Sequence, residues 1–215
     1  MKYKLVAFWL IVFGALFAFL QMCFEYHFYY IEQSQLFLFS EAYIRNKLLL
    51  PGGFSMLVAE FLVQFFIRPY VGALVTAVLL TGVGVCTAGI VKRIAPVSGL
   101  FILYVLPMLA LLFMHFDFNY RVQGTVCYLM MMALLCGYMR IRNDLFRLVA
   151  GCVLVPVLFW LAGSITVLFA GMVCLFEGLR KTPKWYISLI GVAEVLLLVG
   201  EFTQNEKWSV KGTLM

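Results

Sequence analysis

The chain has 215 residues, of which 65% are hydrophobic and only 12% are charged, whereas roughly 25% of residues are charged in an ordinary soluble domain. This composition excludes a soluble globular protein, because such a fold needs a charged surface. The net charge of +6 does not indicate a nucleic-acid partner, since the basic residues stand at the ends of long apolar runs and act as topology signals. We expect an all-α, polytopic transmembrane helical bundle with membrane lipids as its surroundings.

The first predicted span covers residues 5–24. These twenty residues rise about 30 Å as a helix, which matches the hydrocarbon core of a bilayer. Lys2 and Lys4 precede the span, so the positive-inside rule places the N-terminus in the cytoplasm. No small-x-small cleavage site follows the apolar stretch, and we therefore expect an uncleaved membrane anchor.

A long outer loop, residues 25–69, comes next. It is aromatic but polar, and a Pro-Gly-Gly sequence at residues 51–53 breaks it. Residues 36–50 mix large apolar side chains with charges, a pattern typical of a helix in the headgroup region. Residues 54–67 are too few to span upright. We expect them to form a second surface helix, because a spanning helix here would put the basic residues after the next span outside.

Six further spans are predicted, which gives about seven in total (six to eight) in one membrane domain, residues 1–215. The stretch from residue 148 to residue 177 is ambiguous. One tilted helix kinked at Pro156 would leave the following basic residues outside, whereas a hairpin at Gly163-Ser164 puts them inside, and we favour the hairpin. The later spans are predicted at residues 71–91, 97–114, 124–139, 148–162, 165–179 and 185–199.

Two glutamates fall within apolar segments, where an ionisable side chain is costly unless it is paired or hydrated. Glu194 lies in the middle of the last predicted span. It is either a carboxyl that fixes packing or a proton or cation site. Glu60 shares one helical face with Gln64 and Arg68. This face is either a solvated ion-pair network or a groove in which Arg68 holds a lipid phosphate.

Three carboxylates of the outer loop, Glu25, Glu32 and Glu41, stand near the water boundary among tyrosines. A carboxylate in this position can act as general base for an acceptor hydroxyl while a lipid-linked donor lies alongside. Solvated loop acids are the commoner interpretation of each residue taken singly.

We expect no metal ion and no cofactor. His115, Asp117 and Asn119 alternate in the second outer loop, but they would need a further ligand from elsewhere to hold a metal. The six cysteines show no zinc or redox spacing along the sequence, so each is interpreted as a small buried hydrophobe.

The order of elements, one span, a long outer loop with surface helices and then closely spaced shorter spans, resembles the N-terminal module of C-type, polyprenyl-phosphate-dependent glycosyltransferases. This resemblance implies that one of Glu25, Glu32 and Glu41 is the catalytic acid, that Arg68 or Arg121 binds lipid phosphate, and that the donor is a polyprenyl-phosphate-linked sugar.

Two segments, FEYHFYYIEQSQLF (residues 24–37) and LLLPGGF (residues 48–54), are similar to an uncharacterised family of bacterial polytopic membrane proteins. This similarity implies a location in a bacterial cytoplasmic (inner) membrane. The abrupt end EKWSVKGTLM suggests that the chain is the membrane half of a longer protein. The competing function is that of a non-enzymatic membrane protein, either a small transporter or a structural subunit with a partner membrane subunit.

Overall fold

The structure is a computed structural model that describes residues 2–94 and 101–180. The predicted span 185–199, with Glu194, lies outside the described residues. The α-helices are α1 (Lys2–Cys23), α2 (Glu25–Ser34), α3 (Glu41–Leu48), α4 (Gly53–Val63), α5 (Val71–Ile94), α6 (Phe101–Met114), α7 (Val122–Tyr138), α8 (Asp144–Ala162) and α9 (Thr166–Leu179). Short 3₁₀ turns, Gln64–Ile67 and Gly163–Ile165, follow α4 and α8. The predicted all-helical class is therefore confirmed for the described residues.

Three helical stretches are long and apolar enough to cross a membrane, judged by length and composition: Tyr3–Ser34, Val71–Ile94 and Asp144–Leu179. Three more apolar helices, Gly53–Ile67, Ile102–Met114 and Val122–Tyr138, are shorter. This pattern is consistent with a membrane protein, and the crossing of the bilayer by individual helices stays a prediction.

The third of these long stretches folds back on itself at Gly163. Arg147 near its start and Glu177 near its end are in contact, with 2.5 Å between Nε and Oε1. A continuous helix would separate residues thirty positions apart by about 45 Å. Gly163 makes the reversal with a positive φ of 71°, a conformation that glycine adopts without steric cost. The stretch is thus a helical hairpin of α8 and α9.

Helix α5 lies at the centre of the bundle and packs against α1, α6 and α7. Two of its glycines, Gly82 and Gly89, face α7. A Cβ placed on Gly82 would meet Leu129 of α7 at 3.2 Å, and one on Gly89 would meet Cys136 at 3.4 Å. The later residue of α5 meets the later residue of α7, so the two helices run parallel. Helix α6 connects them and runs antiparallel to α5, because its Tyr104 packs on Lys92.

The alternation of helices brings two of the predicted cytoplasmic charges, Arg93 and Arg147, to one end of the bundle. Arg93 at the end of α5 donates to the carbonyl of Met139 after α7 at 2.7 Å. Arg147 and Glu177 meet beside Tyr138 at the same end. The predicted outer loop and the Gly163 turn lie together at the other end, since the amide of Gly52 donates to the carbonyl of Trp160 at 3.0 Å. We call these the basic end and the loop end.

Helix α4 is short, as predicted, but one of its faces is built into the loop end. It packs against α3, α7 and α8, and Ser55, Ala59 and Val63 are almost fully buried. Sequence reasoning placed this segment flat on a membrane surface and gave no indication of these contacts. The reason is that the buried residues of α4 include Ser55 and Glu60 as well as apolar side chains, so they form no distinctive hydrophobic pattern.

Candidate functional site

A polar pocket of about 230 Å³ opens at the loop end, between the end of α2, the helices α3 and α4, and the start of α7. It brings one carboxylate and two cationic side chains to the same cavity. The lining residues are Ser34, Gln35, Leu36, Tyr43, Lys47, Met56, Ala59, Glu60, Arg121 and Gln123.

Glu60 is the carboxylate of this pocket and is only 7% exposed. The Tyr43 hydroxyl donates a short hydrogen bond to its Oε2, and the Lys47 ammonium lies 3.1 Å from its Oε1. Burial and the hydrogen bond to Glu60 raise the pKa of the Tyr43 phenol to about 12. The phenol therefore keeps its proton at neutral pH, and the Glu60 carboxyl accepts from both Tyr43 and Lys47.

The local sequence explains why α3 delivers Tyr43 and Lys47 to α4. Ser40 caps α3, because its hydroxyl accepts from the amide of Tyr43 at 3.2 Å. The turn at Gly52 then adopts a positive φ of 74°. A Cβ on Gly53 would come within 1.8 Å of the carbonyl oxygen of Lys47. Glycine at residue 53 is thus required for the close approach that sets Lys47 opposite Glu60.

Two further bonds fix this corner to the rest of the loop end. The Gln64 amide donates to the carbonyl of Phe37 at 2.9 Å. The Trp160 indole of α8 donates to the carbonyl of Leu48, also at 2.9 Å. Helix α3 is therefore held from both sides, and the pocket wall that it forms does not depend on the Glu60 contacts alone.

A second pocket, of about 350 Å³, lies beside the first, and Arg121 and Gln123 line both. Its other walls come from α7 and from the α8–α9 turn. The Cys127 thiol in its wall donates to the Ser55 hydroxyl of α4 at 3.1 Å. The remaining lining residues are Tyr120, Gly124, Cys127, Ala162, Ser164 and Ile165, a more apolar set than that of the first pocket.

This arrangement can hold an anionic group and can accept a proton. Arg121 is exposed at the mouth of both pockets and is the N-cap residue of α7. The positive end of that helix and the guanidinium both favour a phosphate. The Glu60 carboxyl accepts hydrogen bonds in the wall of the first pocket, which is a position that suits a general base.

The structure separates the predicted site residues into distinct groups. Arg121 and Glu60 line the same pocket. Glu25 and Arg68 instead border a crevice of only about 10 Å³ between α2 and the start of α5. Glu32 is half-buried and Glu41 is exposed, and neither lines the polar pocket.

The second outer loop uses its polar residues to bond within the protein. His115 is buried and contacts the Thr125 hydroxyl at 2.9 Å, and the Asp117 carboxylate accepts from the amide of Asn119 at 2.9 Å. His27 of α2 packs on Phe118, with ring centroids 4.8 Å apart. Within residues 2–94 and 101–180, no group of three or more His, Cys, Asp or Glu side chains is placed to hold a metal ion.

Sequence reasoning missed a buried polar cluster at the basic end. The Arg147 guanidinium bonds both carboxylate oxygens of Glu177, and the Tyr138 hydroxyl donates to Glu177 at 2.9 Å. In the sequence, Arg147 is one of the basic residues at the ends of apolar runs, and its position there indicates only topology. The available clue was the acidic residue at the end of an apolar run, which needs a cation once the hairpin brings both helix ends together.

No curated protein and no solved structure matches the chain. The resemblance to C-type glycosyltransferases accordingly stays a prediction. The expected membership of an uncharacterised family is confirmed, because a model described as a family of unknown function, DUF6057, matches residues 1–210. The chain belongs to the DUF6057 family.

Proposed function

We propose that the chain is a multi-pass bacterial inner-membrane protein with a cytoplasmic N-terminus, and that its polar pocket binds a polyprenyl-phosphate-linked sugar for glycosyl transfer. The observation that carries the proposal is the position of Glu60. This carboxylate is buried in a pocket wall beside the Lys47 ammonium, and Arg121 lines the same pocket. Transfer from a lipid-linked donor needs a site for the donor phosphate, a base for the acceptor hydroxyl and an apolar slot for the lipid chain. The second pocket supplies apolar walls for such a slot.

The reaction follows from these placements. The donor phosphate binds at Arg121, and the acceptor hydroxyl approaches Glu60. As the acceptor oxygen forms its bond to the anomeric carbon, Glu60 takes the hydroxyl proton. The bond from the anomeric carbon to the phosphate oxygen breaks, and polyprenyl phosphate leaves with the electron pair, its charge balanced by Arg121. Glu60 takes the role that the resemblance assigns to Glu25, Glu32 or Glu41, because those three do not line the pocket.

The test compares Glu60→Gln with Glu41→Gln in purified, reconstituted protein. The probes are short-chain polyprenyl phosphate, for binding by native mass spectrometry, and its glycosylated forms, for sugar transfer. We expect Glu60→Gln to retain binding and to lose transfer at least a hundredfold, while Glu41→Gln keeps both. If Glu25→Gln, Glu32→Gln or Glu41→Gln loses transfer while Glu60→Gln stays active, the general base is that outer-loop glutamate and not Glu60. Absence of polyprenyl phosphate binding in the unmodified protein refutes the proposal.

The second candidate is a non-enzymatic membrane protein, a small transporter or a structural subunit. One observation favours it: both buried carboxylates of the described residues, Glu60 and Glu177, are neutralised by a cation of the same chain, as a static scaffold requires. This function makes Glu194 the sensitive position. If Glu194→Gln changes neither transport, assembly with a partner subunit nor stability, the second candidate loses its support.

A further inference from the structure

The fold brings two cysteines together that lie fifty residues apart. The Cys136 thiol on α7 donates to the backbone carbonyl of Cys86 on α5 at 3.2 Å. Their separation along the sequence fits no redox motif, and only the packing of α5 on α7 makes them neighbours.

Two glycines of α5 face α7 on either side of Cys86. Gly89, one turn beyond Cys86, faces the sulfur of Cys136, which a Cβ there would meet at an ordinary contact distance of 3.4 Å. Gly82, one turn before Cys86, faces Leu129 of α7, which a Cβ there would meet more tightly, at 3.2 Å. Small residues at these positions allow the two parallel helices to approach closely where the cysteines lie.

Both thiols are half-buried and belong to apolar helices. If these helices lie in a bilayer, an oxidant reaches the pair from the lipid phase more readily than from water. Quinones are lipid-soluble and accept two electrons and two protons, which is the number that a dithiol releases when it becomes a disulfide.

We propose that Cys86 and Cys136 are a reversible disulfide site that a membrane quinone oxidises. The sulfur–sulfur bond forms as both S–H bonds break, and the two electrons and two protons convert the quinone to its quinol. A thiol reductant reverses the step by exchange through a mixed disulfide. The disulfide fastens α5 to α7, the helix that begins at Arg121 of the polar pocket. This site is independent of the proposed glycosyl transfer, since it uses none of the pocket residues.

The experiment uses the full chain in membranes treated with a short-chain naphthoquinone. Remaining thiols are alkylated, and the digested protein is searched by mass spectrometry for linked peptides. We expect a Cys86–Cys136 link in most of the protein, reversed by dithiothreitol and absent from Cys86→Ser and Cys136→Ser. Cys127→Ser is the matched control on α7, because the Cys127 thiol bonds Ser55 at 3.1 Å instead of another cysteine. It should form the link as the unmodified chain does.

Mapping the disulfide-linked peptides in the unmodified chain tests the proposal even if a serine variant folds poorly. The proposal is overturned if Cys86 and Cys136 are alkylated separately after quinone treatment. A link formed by copper–phenanthroline but not by the quinone overturns it as well, because the thiols would then be adjacent without being accessible to that class of oxidant. Loss of the link in Cys127→Ser contradicts the assigned pairing.

Discussion

Arg147 and Glu177 form a two-pronged ion pair across the α8–α9 hairpin, with 2.5 Å from Nε to Oε1 and 3.0 Å from Nη2 to Oε2. Both side chains are almost fully buried. Tyr138 donates to the same carboxylate, so the pair also fastens the open end of the hairpin to the last turn of α7. A pair of this kind is costly to break, because the remaining partner keeps a buried charge without compensation.

Replacing Glu177 by Ala should therefore lower the free energy of unfolding by about 3–5 kcal/mol. Asp144→Ala is the control, since Asp144 also pairs with Arg147 but its side chain is 64% exposed, and its loss should cost less than about 1 kcal/mol. Denaturant unfolding in detergent measures both. The double variant Arg147→Met with Glu177→Leu should recover most of the loss, because it removes both charges. Equal effects of Glu177→Ala and Asp144→Ala would contradict the role given to the pair.

The reversal at Gly163 yields a second prediction. This residue has φ 71° and ψ −140°, a region that is accessible almost only to glycine, so Gly163→Ala should destabilise the hairpin by about 1–3 kcal/mol. Gly171 of α9 is the matched control, because a Cβ there meets nothing within 4 Å. Gly171→Ala should be neutral or stabilising by up to about 1 kcal/mol. Melting temperatures of the two variants in one detergent give the comparison, and a neutral Gly163→Ala would refute the assigned backbone strain.

Much of the helical layout follows from hydropathy and from glycine and proline positions. The predicted helices 148–162 and 165–179 correspond to α8 and α9, which begin and end at Asp144–Ala162 and Thr166–Leu179. The Gly-Ser pair is informative here because the chain must reverse with a positive φ. The break at residues 51–53 is informative for the same reason. Local backbone chemistry is thus readable from the sequence.

The partners of polar side chains cannot be predicted from the sequence in this way, because they depend on which helices become neighbours in the fold. The pairing of Glu60 with Lys47 needs the α3–α4 corner, and the pairing of Arg147 with Glu177 needs the closed hairpin. The predicted stripe of Glu60, Gln64 and Arg68 does not act as one face either. Helix α4 ends at Val63, and Gln64 bonds Phe37 while Glu60 bonds α3. The outer-loop acids are candidates only because of their position in the sequence, and that position does not show which residues line a pocket.

Arg121 provides a direct test of the phosphate site. Arg121→Gln should weaken the binding of short-chain polyprenyl phosphate about tenfold, because a charge-assisted hydrogen bond contributes roughly 1.5 kcal/mol. Arg45→Gln is the control, since Arg45 is exposed on α3 and does not line the pocket. Titration of each purified variant measures the dissociation constants. Equal affinities of the two variants would place the phosphate elsewhere, with Arg68→Gln as the next variant to titrate.

The second outer loop should make stability depend on pH. Burial and the neighbouring His27 lower the pKa of His115 from 6.5 to about 4. Between these pH values the unfolded chain binds a proton that the folded chain does not. Stability is therefore full above about pH 6.5 and falls by up to roughly 1.4 kcal/mol per pH unit as the pH drops toward 4.

His115→Gln should flatten that slope, and the double variant with His27→Gln, which removes both imidazoles, should flatten it further. Thr125→Val is the matched control. It deletes the hydroxyl that contacts His115 at 2.9 Å but leaves the imidazole buried, so the chain should be less stable at every pH while the slope persists. Melting temperatures in one detergent between pH 7.5 and pH 5 distinguish these cases. A slope that survives unchanged in the double variant would show that carboxylates, and not the two histidines, govern acid stability, because no other imidazole is present in the sequence.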